Sequence, residues 1–105
     1  MRTLTQEDNG KTIEIKTGDS LVVNLDENPT TGYRWAVERG SEDLLNPSGS
    51  EFIQNPDAKT GAGGTRVFTF QALKPGKTSL NIKHWRAWQG DSSVTHRFGV
   101  EILIT

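Results

Sequence analysis

The stretch TRVFTFQALKPGKTSLNIKH, Thr65 to His84, decides the fold class. In its first half Phe68, Phe70 and Ala72 fall on alternate positions, and in its second half Leu80 and Ile82 do the same. Alternation at period two marks a strand with one face buried. Between the halves, Lys74-Pro75-Gly76-Lys77 is a tight turn: proline presets φ and glycine accepts backbone angles that other residues avoid. Strand, turn and strand follow one another here with no helical period.

The same pattern extends in both directions. Val94 to Ile104 alternates with Val94, His96, Phe98, Val100, Ile102 and Ile104 on one face. Upstream, Ile13 and Ile15 share a face in Thr12–Thr17, Gly18-Asp19 signals a turn, and Leu21, Val23 and Leu25 share a face in Ser20–Leu25. Tyr33, Trp35 and Val37 alternate in a third strand. From Arg39 to Ser50 the pattern breaks. Ser41 is placed to cap one helical turn through Glu42, Asp43, Leu44 and Leu45, with Asn46-Pro47 as its stop and a short strand at Glu51–Gln54. The sum is an all-β chain: an immunoglobulin-like β-sandwich of about seven to eight antiparallel strands, with Trp35 at a place where such folds often bury a tryptophan.

Composition agrees. The chain has 105 residues, a length that fits one domain able to bury its own core. Residues 1–10 are polar and expected to be loosely held, and 11–105 form the single domain. With a net charge of -1 and no basic block, nucleic acid is a poor partner. No apolar run approaches membrane-spanning length, so no membrane partner is expected. No signal peptide is evident, which fits a cytoplasmic chain or a mature exported form. Without a cysteine the chain has no disulfide, catalytic thiol or thiolate metal site.

Strand parity then places three segments together. Strands of an antiparallel sandwich mostly alternate in direction, so every second connection falls at the same pole. The three long alternate connections hold Asn28-Pro29-Thr30-Thr31-Gly32-Tyr33, Gly61-Ala62-Gly63-Gly64 and Trp85-Arg86-Ala87-Trp88. The first is stiff and tightly bent, the second offers backbone with little side chain, and the third carries the residue types most enriched at interface hot spots. One of the two tryptophans is expected to fold back, and Trp88, at the apex, to be exposed. Together the loops read as a binding surface, not an active site.

Catalytic and metal readings find little support. His84 and His96 fall on different strands with no carboxylate at ligand spacing, so they read as ordinary strand residues. Asp26 and Glu27 are adjacent on an extended segment and point to opposite sides, which is no acid/base pair. No cofactor or metal is implied.

In this order the three segments resemble the chagasin family of cysteine-peptidase inhibitors, which is marked by an Asn-Pro-Thr-Thr-Gly-aromatic loop, a Gly-x-Gly-Gly loop and an Arg-Pro-Trp loop. The first two are complete here. The third reads Arg86-Ala87-Trp88, with alanine at the usual proline. The resemblance runs from about Asp19 to Ile104. It implies an immunoglobulin-like, non-enzymatic, reversible and tight inhibitor of papain-like peptidases, monomeric when free. Thr30, Thr31 and Gly32 would face the catalytic cysteine and histidine of the peptidase, Gly61 to Gly64 would pair backbone to backbone along one side of its cleft, and Arg86 and Trp88 would grip the other. The competing reading is an adhesion or carbohydrate-binding sandwich that stacks sugars on Tyr33, Trp85 and Trp88.

Overall fold

The structure, a computed structural model, describes residues 1–28, 32–38, 43–54 and 63–105. Among these, eight strands appear: β1 (Arg2–Thr5), β2 (Thr12–Ile15), β3 (Ser20–Glu27), β4 (Arg34–Val37), β5 (Leu45–Gln54), β6 (Gly64–Ala72), β7 (Gly76–Trp85) and β8 (His96–Ile104). They form two four-stranded sheets, ordered β1-β3-β6-β5 and β2-β8-β7-β4. Between the sheets lies one apolar core. It takes Leu21, Val23 and Leu25 from β3, Phe68, Phe70 and Ala72 from β6, Leu80 and Ile82 from β7, and Phe98, Val100, Ile102 and Ile104 from β8. Burying one such side chain contributes about 1.5–3 kcal/mol. The period-two pattern of the sequence is therefore the inner face of the sandwich.

The turns at Gly18-Asp19 and Pro75-Gly76 do not join neighbouring strands. Each carries the chain from one sheet to the other, since β2 and β3 lie in different sheets, as do β6 and β7. Two strand pairs are parallel, β1 with β3 and β2 with β8, and the other pairs are antiparallel.

Three local expectations are corrected. The first residues are not loosely held: Arg2–Thr5 pairs along β3, and Leu4 is buried in the core. An edge strand needs only one inward side chain to dock, and a single leucine in a polar run escapes a periodicity count. The segment is tied further where Asp8 Oδ2 accepts the Thr5 N–H at 2.9 Å and Asn9 Oδ1 accepts the Gly99 N–H at 2.8 Å. The Thr5 bond is the main reason the Asp8 carboxyl is held below its usual range.

The second correction concerns Arg39–Gln54. Residues 39–42 lie outside the described residues, but Asp43 and Leu44 form a turn and Leu45 already begins β5. Asn46-Pro47 is thus inside a strand and ends no helix. β5 is an edge strand with a register shift between Pro47 and Gly49, and edges and bulges are where a sheet tolerates proline. Third, β8 starts at His96, so Val94 precedes the strand, and the His96 side of its inner face is exposed.

Candidate functional site

Strand register brings the three segments to one pole. The last residue of β3, Glu27, pairs with the first of β6, Gly64, which also pairs with Gln54 at the end of β5. In the other sheet Arg34, the first of β4, pairs with Trp85, the last of β7, and His84 pairs with His96 at the start of β8. The connections β3–β4, β5–β6 and β7–β8 therefore all leave the sandwich at the same end. Pro29, Thr30, Thr31, Gly61 and Ala62 of the expected site lie outside the described residues. Asn28, Gly32, Tyr33, Gly63, Gly64, Arg86, Ala87 and Trp88 are described, and they line this end.

Contacts between the loops are direct. Gly63 lies against the end of β3: a Cβ added there would stand 2.9 Å from the Glu27 carbonyl oxygen and 3.5 Å from Asn28 Cβ. Gly32 has φ +80° and lies under the Trp88 indole, where an added Cβ would stand 2.5 Å from Cη2. Glycine answers both the left-handed backbone and the contact. The Arg86 guanidinium carbon lies 4.4 Å from the Tyr33 ring centroid, a cation–π contact between the first and third loops. Behind it, Tyr33 stacks on His84 at 5.2 Å, and His84 contacts Trp35 at 4.8 Å and His96 at 5.9 Å. An open depression of about 740 Å³ runs between Tyr33, His84 and His96 on one side and Gly63 on the other.

Trp88 is the exposed tryptophan, at 71% accessible. Trp85 is half-buried, with Lys83 Nζ 3.5 Å from its ring centroid. The apex between them is stitched. Ala87–Ser93 winds into 3-10 turns with a break at Gly90. Ser93 Oγ accepts the Arg86 N–H at 2.9 Å, the Gln89 N–H reaches the Arg86 carbonyl at 3.0 Å, and Lys83 pairs with Asp91 at 3.2 Å. Hydrogen bonds thus supply much of the stiffness that a proline would.

Ala87 is well suited to receive that proline. It opens the 3-10 turn, a position whose N–H has no partner within the helix, and Arg86 before it is extended at φ −103°, ψ 109°. Ala87→Pro is expected to tighten target binding by up to about 1 kcal/mol by narrowing the free loop. Binding constants of the two proteins check this, and a weaker proline variant would mean that the bound loop needs another φ.

His84 and His96, on different strands as expected, face each other across β7 and β8, and both reach the Thr95 hydroxyl through Nδ1, at 2.9 Å and 3.2 Å. Removal from water, then the charge of His96, hold His84 below the ordinary imidazole range, while Glu27 pulls the other way. A proton therefore binds His84 less readily in the folded chain than in the unfolded one. Its contribution to stability is complete above the unfolded value, about 6.5, and is lost as pH falls from there toward the lowered one. Unfolding midpoints at pH 7.5 and 5.5 are expected to differ less in His84→Gln than in the parent, and equal differences would remove His84 from the account.

Sequence reasoning missed Glu27 and Arg66. Glu27 is 3% exposed, with Asp26 beside it exposed, as extended backbone requires. Its Oε2 accepts from Arg66 Nη2 at 2.8 Å and Nε at 3.1 Å, and its Oε1 accepts the Trp35 N–H at 2.9 Å. The Trp35 indole N–H in turn donates to the Asp26 carbonyl at 2.8 Å. The available signal was that the inward positions of β3 and β6 end at this pole in charges of opposite sign.

The family described as Chagasin family peptidase inhibitor I42 matches residues 14–102. Chagasin of Trypanosoma cruzi is 35% identical over 103 residues, which cover 92% of each chain. The crystal structure of the cysteine protease inhibitor EhICP2 from Entamoeba histolytica superposes with a TM-score of 0.86 at 23% identity, over 99% of this chain and 94% of that one. PbICP-C, solved in complex with falcipain-2, shares the fold with a TM-score of 0.65 at 14% identity, over the whole of both chains. The eight-stranded sandwich with its three loops at one pole belongs to the chagasin family of peptidase inhibitors.

Proposed function

We propose that this protein is a reversible, tight-binding inhibitor of papain-like cysteine peptidases, and that its three polar loops fill the cleft of the enzyme as a wedge. One observation carries the reading: Trp88 stands exposed over Gly32, so the third loop presents an indole beside the glycine of the first. Family membership and the 35% identity to chagasin support it, and PbICP-C, of the same fold, has falcipain-2 as its partner. The roles of Asn28 to Tyr33, Gly61 to Gly64 and Arg86 to Trp88 follow from their place in the wedge. A stiff turn in the slot loses little entropy on binding and offers the thiolate no extended peptide to cleave. A rigid sandwich also binds with little backbone rearrangement.

The sugar-stacking alternative fits less well. The Tyr33 ring packs against His84 and Arg86, and Lys83 lies over Trp85, so two of its three rings are engaged within the domain. A thiol-shielding experiment tests the proposal. Papain mixed with one equivalent of the protein is expected to resist alkylation of its active-site cysteine. Unchanged alkylation in a mixture that still forms a complex would place the protein away from the cleft.

A further inference from the structure

The binding pole stands on a buried charge. Along β3 the inward residues are Leu21, Val23, Leu25 and then Glu27, and their partners on β6 are Phe70, Phe68, Arg66 and Gly64. The apolar layer thus ends, at the pole, in a carboxylate and a guanidinium. The Glu27 side chain has no exposed surface and that of Arg66 keeps 18%. An ion pair here is no economical way to fill space, since an apolar pair of similar volume is often as stable or more so. What a carboxylate adds is direction, because each acceptor site fixes where a donor must stand.

Glu27 uses that direction on the loops. It is the residue before Asn28, and its Oε1 holds the N–H of Trp35, which follows the first loop in β4. The same side chain therefore closes the neck of the first loop across the two sheets. Its Oε2 holds Arg66, two residues into β6 from the second loop, and Arg66 reaches on to β5, with Nη1 3.4 Å from Ser50 Oγ and its guanidinium 5.7 Å from the Phe52 ring centroid. Gly63 rests on the Glu27 carbonyl. Both stems of the first loop and the β6 stem of the second thus meet at one carboxylate, and the β5 stem joins them through Arg66.

We infer that Glu27 and Arg66 are positioning residues for inhibition: a latch that sets the angle between the first and second loops before a peptidase arrives. The inference rests on the proposed function. Without the latch the sandwich still folds, but only a fraction of molecules holds both loops in the binding geometry at once, so association slows in proportion to that fraction.

The test replaces both charges, as E27M/R66M, so that neither is left buried alone. The expected result is a folded protein with a thermal midpoint somewhat below the parent's, since the Trp35 N–H loses its acceptor, and association to papain slowed by about tenfold, the dissociation rate changing less. A parental association rate in a folded double variant would overturn the latch. Amide exchange on the unmodified protein gives a second reading that needs no peptidase and no variant. The Trp35 amide is expected to exchange as slowly as those of the core strands, and exchange at the rate of an exposed loop would overturn the latch, whether or not the double variant folds. If the parent fails to inhibit papain while its Trp35 amide is protected, the proposed function falls and the latch remains as architecture only.

Discussion

Trp88→Ala is expected to weaken inhibition of a papain-like peptidase by about 2–4 kcal/mol, some 30- to 1,000-fold, and to leave the melting temperature almost unchanged. The two halves of this expectation have one cause. At 71% exposure the indole contributes little to the core, so its removal opens no cavity in the fold. In a complex the same surface would be covered, and a tryptophan at the centre of an interface is the residue type whose truncation costs most. Its pose is prepared by Gly32 beneath it and by the stitched turn of Ala87–Ser93 behind it. A melting temperature that drops sharply would assign Trp88 to the stability of the fold, and an unchanged inhibition constant would remove it from the interface.

Arg66→Met is expected to act in the opposite place, on stability. It strips the cation from Glu27 and leaves a carboxylate with no side-chain exposure facing an apolar layer. Breaking a buried pair from one side costs about 3–5 kcal/mol, because the remaining charge has neither water nor counter-charge and keeps only the Trp35 N–H. That is a large share of the 5–15 kcal/mol typical of a domain, so the variant is expected to unfold at much lower denaturant concentration. Adding Glu27→Met to it is expected to recover part of the loss, since the second change removes the stranded charge but leaves the Trp35 N–H without its acceptor. A single variant within about 1 kcal/mol of the parent would mean that Glu27 reaches water readily, and the pair would then be a surface salt bridge of ordinary worth.

Much of this was legible in the sequence because the inner face of a sandwich writes itself at period two. Phe68-Phe70-Ala72, Leu21-Val23-Leu25 and Phe98 to Ile104 each declared a strand, and connection parity put the three loops at one end before any register was known. Three things were hidden for physical reasons. β1 docks through Leu4 alone, and one buried residue makes no pattern. β5 is an edge strand in which only Leu45 is buried, so it carries turn-like Asn46-Pro47 and Gly49 without penalty and shows no alternation. Glu27 and Arg66 are far apart in the chain, and only pairing of β3 with β6 brings them together. Read singly, a charge at the end of a strand looks like the start of a loop. Within the site, nothing in the sequence of the third loop announced the hydrogen bonds that join Arg86 to Ser93.

The most direct test of the wedge is a titration of this protein against papain or a cathepsin L-like enzyme, followed with a fluorogenic peptide. The account predicts tight inhibition that saturates at one inhibitor per active site, with the added protein recovered uncleaved. Full activity of several papain-like peptidases at micromolar protein would contradict it.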